Sequence, residues 1–568
     1  TKRVTIESTA EAYLELLASR GVEYLFGNAG TDFAPLIEAY ARRLAQGQTQ
    51  PRPMTVPHEI VAVAMAHGYA MVTRRAQAVM VHVIVGTANG LGGVINAACA
   101  NAPMLFTAGR NPLTESGLRG SRDRQIHWAQ ESFDQGAMVR EFVKWDYELR
   151  NFVQLETVVD RALAIAQAEP QGPVYLTLPR EVIGERHETF EYSEPSRMPR
   201  PSEATADPAD VAEAARVLAA ARNPIVVTKA GGRDPRAVPA LVRLAETLGA
   251  GVFEHFHTHL NFPQDHPLHI AFDVQPYLGQ ADAIIVLECD APWFPVAGNP
   301  SRDAKVVQIG VDPLFSRMPI RGFPGDVSLS GAPRLTLAAL ADALQPLVDR
   351  AAVAERRGRW ATEHQRLRDT WAVTAAKARS AAPIEMSWLS RCIHDLFDDR
   401  TILVNEYDFD ATQGCFTTPG SYFNSPASSA LGWGLGAALG AKLAAPDRTV
   451  VCCVGDGAYV FGAPTAAHWV ARAAEIPVLF VVFNNRTWNA VKRATTSFAP
   501  DGWAVKTGAM PLTYLDPAPD YELVCRASGG WAERVEDPAA LPEMLARALK
   551  VVREEKRQAL LNVICRKP

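Results

Sequence analysis

One run of apolar residues ends in Gly455-Asp456-Gly457, and after 26 intervening residues a second ends in Asn484-Asn485. An aspartate carboxylate, an asparagine side-chain oxygen and a nearby backbone carbonyl suit Mg²⁺, a hard cation that commonly joins a few protein oxygens to phosphates. The glycines let the backbone approach a diphosphate, and a helix start after them supplies N–H donors. An aspartate between two glycines is also an ordinary strand-to-helix turn; the twin asparagines at this spacing favour metal and diphosphate. A second candidate is Glu59, in Pro57-His58-Glu59 ahead of IVAVAMAHGYAMVT, where the helix dipole alone would also favour an acid. His82 ends a further apolar run, and its imidazole can give and take a proton near neutrality.

Alternating strands and helices must position these groups. In the first segment the pattern predicts a helix over Ser8 to Ser19, a strand at Glu23 to Phe26, a helix from Phe33, and strands at Ala78 to Val83 and Pro103 to Thr107. The run PVYLTLP closes this unit, and the polar stretch 186–204, with three prolines, reads as a linker. The second segment alternates helices at Asp210 to Ala220, Ala237 to Leu248 and Arg334 to Leu347 with the strands NPIVVTKAGG, ADAIIVLECD and AKVVQIGVD. A charged helical connector, Arg350 to Arg379, leads to the strands TILVNE, VVCCVGDG and PVLFVVFNN. The fold class expected is α/β, with three doubly wound parallel-sheet domains. Their bounds are 1–190, 191–350 and 381–568, with 351–380 as connector.

The composition agrees with a soluble globular chain of several domains: 568 residues, 48% hydrophobic and 21% charged. With 57 Lys and Arg against 62 Asp and Glu, no basic block exists for a nucleic-acid backbone. The most apolar stretch, Ala76 to Gly109, is interrupted by His82, Asn89, Asn96 and glycines, which argues against a membrane span. The first residues lack the apolar region of a signal peptide, and the eight cysteines have no repeated metal-ligand spacing; reduced thiols and a cytoplasmic location are expected. Adjacent Cys452 and Cys453 lie in an apolar run and read as packing residues.

The paired motifs resemble the thiamine-diphosphate-dependent decarboxylase and acetolactate-synthase superfamily over essentially the whole chain. The resemblance implies a pyrimidine-binding, a central and a diphosphate-binding domain. It implies Mg²⁺ held by Asp456, Asn485 and the backbone of Thr487, with Gly455, Gly457, Ala458 and Asp408 near the cofactor. It makes Glu59 the partner of the cofactor aminopyrimidine from a neighbouring subunit, so that a dimer is the smallest competent unit and a homotetramer the expected assembly. In SALGWGLGAALGAKLA it makes Leu431 the residue that props the bent cofactor.

Within that superfamily FGNAGTDFAP resembles the FGNPGSNELP-type loop of benzoylformate decarboxylases, with Thr31 at the position of a catalytic serine. VHVIVGTANGLGGVINA is similar to their histidine-bearing loop and places His82 at the proton-transfer position. Their second catalytic histidine is replaced by Ala297 in APWFPVA. Gln130 in HWAQESFDQ, with Glu131 beside it, stands where relatives including acetolactate synthases have a glutamine close to the cofactor, and His127 could also reach the cleft. The implied function is non-oxidative decarboxylation of a 2-oxo acid, with aromatic acids as candidate substrates, carboligase or C–C lyase capability and an aldehyde as the second substrate. An acetolactate-synthase-like carboligase, a 2-hydroxyacyl-CoA lyase and an inactive cofactor-binding subunit stay open. Gly231-Gly232 is a weak phosphate signal that leaves FAD in the central domain open. His255, His257 and His259 would share one face of a strand, compatible with a metal set, although pocket or structural roles are favoured.

Overall fold

The computed structural model describes residues 1–567. Continuous runs of Val, Ile, Leu and Ala form strands buried on both faces, as the sequence pattern requires of sheets covered by helices. The first strands are β1 (Lys2–Thr5), β2 (Tyr24–Gly27), β3 (Arg52–Thr55), β4 (Gln77–Val81), β5 (Met104–Arg110), β6 (Asp146–Glu148), β7 (Pro173–Pro179) and β8 (Thr189–Tyr192), of which β4, β5 and β7 are such buried runs. Six of them make a parallel sheet in the order β3-β2-β4-β5-β7-β6. The chain steps from β2 to β3, then crosses back to place β4 on the other side of β2. The carboxyl ends of β2 and β4 therefore flank a topological switch point, where open α/β sheets place ligands.

The central sheet has the order β11-β10-β9-β12-β13-β14, also parallel. Its strands are β9 (Pro224–Thr228), β10 (Gly251–Glu254), β11 (His269–Ala271), β12 (Ala283–Leu287), β13 (Lys305–Gly310) and β14 (Val327–Ser330). A third six-stranded sheet holds β15 (Thr401–Glu406), β16 (Tyr422–Asn424), β17 (Thr449–Gly455), β18 (Leu479–Asn484), β19 (Trp531–Val535) and β20 (Ala559–Ile564). Strands β15 and β16 pair in parallel, as do β17 and β18. These three sheets are the three α/β domains expected. By contacts the chain divides into two compact units: Thr1–Pro201 with Ser425–Glu533 and Ala548–Asn562, and Ser202–Asn424 with Arg534–Arg547 and the residues from Val563.

In the first unit the helix Glu59–Thr73 packs on the helix Trp433–Ala444, and small residues let their backbones touch. A Cβ on Gly68 would stand 2.0 Å from the Ala437 carbonyl oxygen, and one on Gly440 would stand 1.9 Å from that of Met65. Between the helices Trp433 Nε1–H donates to His67 Nδ1 at 3.2 Å. Burial pushes the His67 pKa down to about 3, which keeps the ring neutral and able to accept.

Two expectations are corrected. The polar stretch 186–204 is not linker throughout, because β8 lies in it and pairs antiparallel with β1, Lys2 opposite Tyr192 and Val4 opposite Phe190. Phe190 and Tyr192 alternate inward with exposed Thr189 and Glu191, a period-two signal that the neighbouring prolines masked. Nor do His255, His257 and His259 share a strand face: β10 ends at Glu254, and Phe256 turns the chain at φ +47°. The His255 ring meets Phe256 and Phe294, His257 stacks between Phe272 and Tyr422, and His259 meets the edge of Phe423. Among the described residues no group of three His, Cys, Asp or Glu side chains is poised to hold a metal.

Candidate active site

Glu59 opens the helix Glu59–Thr73, with His58 as its cap: the His58 Nδ1 accepts the Ile60 N–H at 3.3 Å. The Glu59 carboxylate is buried and takes two amide hydrogen bonds, from Asn28 Nδ2 to Oε1 at 2.8 Å and from Asn89 Nδ2 to Oε2 at 2.5 Å. Asn28 follows β2, and Asn89 projects from the helix Val83–Cys99 that follows β4. The two strands of the switch point thus deliver one clamp each. Glu59, Asn28 and Asn89 line an open pocket of about 650 Å³ together with Ala29, His82, Val85 and Ala88. Neither asparagine was singled out in the sequence; Asn28, next to Gly27 at a strand end, was the nearest thing to a signal.

His82 follows β4, and its Nδ1 lies 2.5 Å from Oδ1 of Asp32, a buried carboxylate. The hydrogen bond to Asp32 raises the His82 pKa above its ordinary value against the opposing effect of partial burial, with smaller contributions from Asp32 charge, Gln130 and Glu59. Gln130 ends the short helix Ile126–Ala129 and lies close enough to favour the charged imidazole. The approach is too loose for a good hydrogen bond, since the Gln130 Oε1 is buried without a partner. Glu131 is held instead by Arg110 and Arg122. Buried His127 accepts the Asp123 N–H on Nδ1 at 3.2 Å, which ties its ring to its own loop. Thr31 is exposed at the start of the turn Thr31–Phe33, and it is the next residue, Asp32, that reaches His82.

Asp456 and Asn485 follow from two adjacent parallel strands, with Gly455 in register with Phe483. Asp456 is 1% exposed; its Oδ2 accepts the Arg486 N–H at 2.6 Å and its Oδ1 the Gly457 N–H at 3.0 Å. Burial pushes its carboxyl up to about 6, only partly offset by these backbone donors and by the Arg486 charge. A buried carboxylate short of positive charge, beside the buried oxygens of Asn485 and Thr487, is a donor set that fits a hard divalent cation. The Asn485 Oδ1 accepts from the Thr487 N–H at 2.9 Å and the Thr487 hydroxyl at 2.8 Å, which fixes the turn. At Gly457 a Cβ would stand 2.4 Å from the Trp488 ring, so the turn admits only glycine. Ala458 is buried in the following helix, Asp456–Phe461.

Leu431 is half-buried just before Gly432, whose φ of +82° opens the helix Trp433–Ala444. It is not a core leucine. Asp408 lies in the second unit, half-buried in the loop after β15. Ala297 is exposed, so the position of a second histidine carries no ionisable group. Gly232 is used for packing: its N–H donates to Asn261 Oδ1 at 2.8 Å, and a Cβ there would stand 1.9 Å from the Leu260 carbonyl oxygen. Lys229 pairs with Asp290 at 2.5 Å beside it. Cys452 and Cys453 are buried in β17, and among the described residues none of the eight cysteines forms a disulfide. Among the described residues no helix is long and apolar enough to cross a membrane.

Three family descriptions match the chain in order: thiamine pyrophosphate enzyme, N-terminal TPP binding domain, over residues 7–138; central domain, over 211–340; and C-terminal TPP binding domain, over 409–563. A benzoylformate decarboxylase of Pseudomonas aeruginosa is 27% identical over 86% of this chain and 88% of its own. A sulfoacetaldehyde acetyltransferase of Rhodobacter capsulatus is 25% identical over 98% and 92%. Among solved structures, the thiamine diphosphate-dependent 4-hydroxybenzoylformate decarboxylase of Rhodococcus jostii RHA1 superposes with a TM-score of 0.79 at 24% identity, covering 99% of both chains. With its three sheets, its paired Glu59 and Asp456 motifs and these matches along its length, the chain belongs to the thiamine-diphosphate-dependent decarboxylase and acetolactate-synthase superfamily.

Proposed function

We propose that the protein is a thiamine-diphosphate- and Mg²⁺-dependent decarboxylase that acts without oxidation on a 2-oxo acid, aromatic in the first instance, with carboligation to an aldehyde as a second activity. The single observation that carries this reading is that Glu59 and His82 line the same pocket, one carboxylate clamped by amides and one imidazole biased toward its charged form. A carboxylate and an imidazole lining one cleft suit a reaction that moves protons on and off a carbonyl compound. Support for the aromatic substrate class comes from the similarity to a benzoylformate decarboxylase.

Asp456, Asn485 and the Thr487 backbone would hold the metal, and the Gly455–Ala458 turn the diphosphate. Leu431 would support the cofactor rings. Held there, the cofactor would supply a nucleophilic ring carbon and an electron sink for decarboxylation. Glu59 would meet the cofactor aminopyrimidine, and Asn28 and Asn89 hold its carboxylate in place. His82 would carry the substrate-side proton on Nε2, with Gln130 near the ring and Thr31 offered as a hydroxyl for the substrate carboxylate. Ala297 provides no second relay, so one imidazole does this work. Gln130 favours carboligation as the second activity. The proposed domains are 1–190, 191–350 and 381–568, joined through 351–380, in a homodimer or homotetramer.

The test is a product screen on protein loaded with thiamine diphosphate and Mg²⁺, offered aromatic and aliphatic 2-oxo acids with and without an aldehyde. Release of carbon dioxide with an aromatic aldehyde supports the reading. Turnover of pyruvate alone, to an acetohydroxy acid, would replace it with an acetolactate-synthase-like reaction.

A further inference from the structure

We propose that Asp32 is a positioning residue that holds His82 by Nδ1 and sets it as the proton donor of the pocket; this rests on the reading of His82 given above. The pair is built rather than incidental. Asp32 Oδ1 meets Nδ1 at 2.5 Å, so Nε2 is the one ring nitrogen left for the pocket that His82 lines. Two glycines from separate strand ends make room for it. A Cβ on Gly30 would stand 2.1 Å from His82 Nδ1, and a Cβ on Gly109 would stand 1.8 Å from Asp32 Oδ2. Val83, next to His82, is a β-branched residue at φ +34°, a costly conformation that aims its N–H at Asp32 Oδ2 at 3.4 Å.

Three groups face the imidazole: Asp32 from the turn after β2, Gln130 from the helix end at Ala129, and Glu59 from across the pocket. All three favour the imidazolium. Asp32 is 4% exposed and cannot itself reach a ligand, so its effect passes through the ring. In the step assigned to His82 the Nε2–H bond breaks and its proton forms a bond to the reacting carbon or oxygen of the substrate. The neutral ring stays tethered through Nδ1–H to Asp32, and Nε2 regains a proton from solvent. A buried carboxylate behind the ring fixes the tautomer throughout.

The experiment compares the loaded enzyme with its Asp32→Asn variant, which keeps the shape and removes the charge. Isotope-labelled histidine resonances, with His82 assigned through His82→Gln, report the titration of the ring without reference to turnover. In Asp32→Asn the His82 proton should become at least tenfold more acidic, and the alkaline limb of the kcat profile should move to lower pH by the same factor. Metal-dependent cofactor binding should stay within about twofold. An unmoved titration overturns the proposal, as does a moved titration with an unmoved kcat profile. The wild-type protein provides a check that needs no variant: a His82 that titrates below an ordinary histidine also overturns it. If His82→Gln retains full turnover, the fault lies instead with the proton-donor reading of His82, whatever Asp32 does to the ring.

Discussion

Asn28 donates its side-chain amide to Glu59 Oε1 at 2.8 Å across 31 residues of sequence, and Asn89 closes the other oxygen. Hydrogen bonds to a charged group contribute about 1.5–3 kcal/mol each, equivalent to roughly ten- to 150-fold in rate when the group acts in the rate-limiting step. Asn28→Ala and Asn89→Ala should each lower kcat by that order, with the cofactor dissociation constant little changed. Glu59→Gln should abolish turnover while retaining Mg²⁺-dependent cofactor binding. Steady-state kinetics beside cofactor fluorescence titration separates the two, and full turnover in Glu59→Gln would remove Glu59 from the chemistry.

Asp456 is expected to behave in opposite ways with and without metal. Its carboxyl, pushed up to about 6 by burial, binds a proton more tightly folded than unfolded. Protonation therefore stabilises the metal-free fold, fully below the ordinary carboxylate range, and this is lost as pH rises through about 6. At pH 8 the buried charge costs on the order of 2–3 kcal/mol. Asp456→Asn in chelator-treated protein should melt no lower than wild type at pH 8, yet gain no thermal stability from Mg²⁺ and thiamine diphosphate. A large Mg²⁺-dependent rise in Tm for the variant would contradict the metal assignment.

The His82–Asp32 pair gives a second pH dependence. The folded pKa of His82 is raised, so the pair stabilises the fold most below the ordinary histidine value and this contribution is lost as pH rises through the folded one. Urea unfolding of wild type and His82→Ala, followed from pH 5 to pH 9, should show the largest difference at the acid end. A gap that widens with pH would mean that the ring is held neutral.

Gly68 and Gly440 let two buried helices touch backbone to backbone, and carbonyl oxygens cannot move aside as side chains can. Gly68→Val or Gly440→Val should destabilise the first unit by about 3 kcal/mol or more. Each should also reduce cofactor affinity, because the helices Glu59–Thr73 and Trp433–Ala444 begin at Glu59 and beside Leu431. Equilibrium unfolding midpoints at constant m-value measure the first effect. A near-neutral Gly68→Val would mean that these helices can separate.

Much of the fold was legible because buried parallel strands are written as continuous apolar runs: TILVNE, VVCCVGDG and PVLFVVFNN fall on β15, β17 and β18. The turn after Gly455 was legible for the same reason, since a strand end followed by glycine and an acid leaves few alternatives. Where a strand was short and polar on one face, as in β8, nearby prolines outweighed its alternation. Where histidines stood two apart, a strand periodicity was assigned to residues that leave β10 at Glu254 and scatter into separate aromatic contacts.

The sequence by itself marked the chemical types: the spacing of Asp456 and Asn485 after two apolar runs, and the resemblance of the segments around Glu59 and His82 to those of a known superfamily, single these residues out. Tertiary structure decided which neighbours act on them. Asn28 reaches Glu59, and Asp32 reaches His82 across 50 residues, because β4 returns to the far side of β2 and brings two strand ends to one crevice. A crossover of that kind leaves no local pattern in the residues it joins. The amide clamp on Glu59 and the carboxylate behind His82 therefore become visible only in the folded sheet.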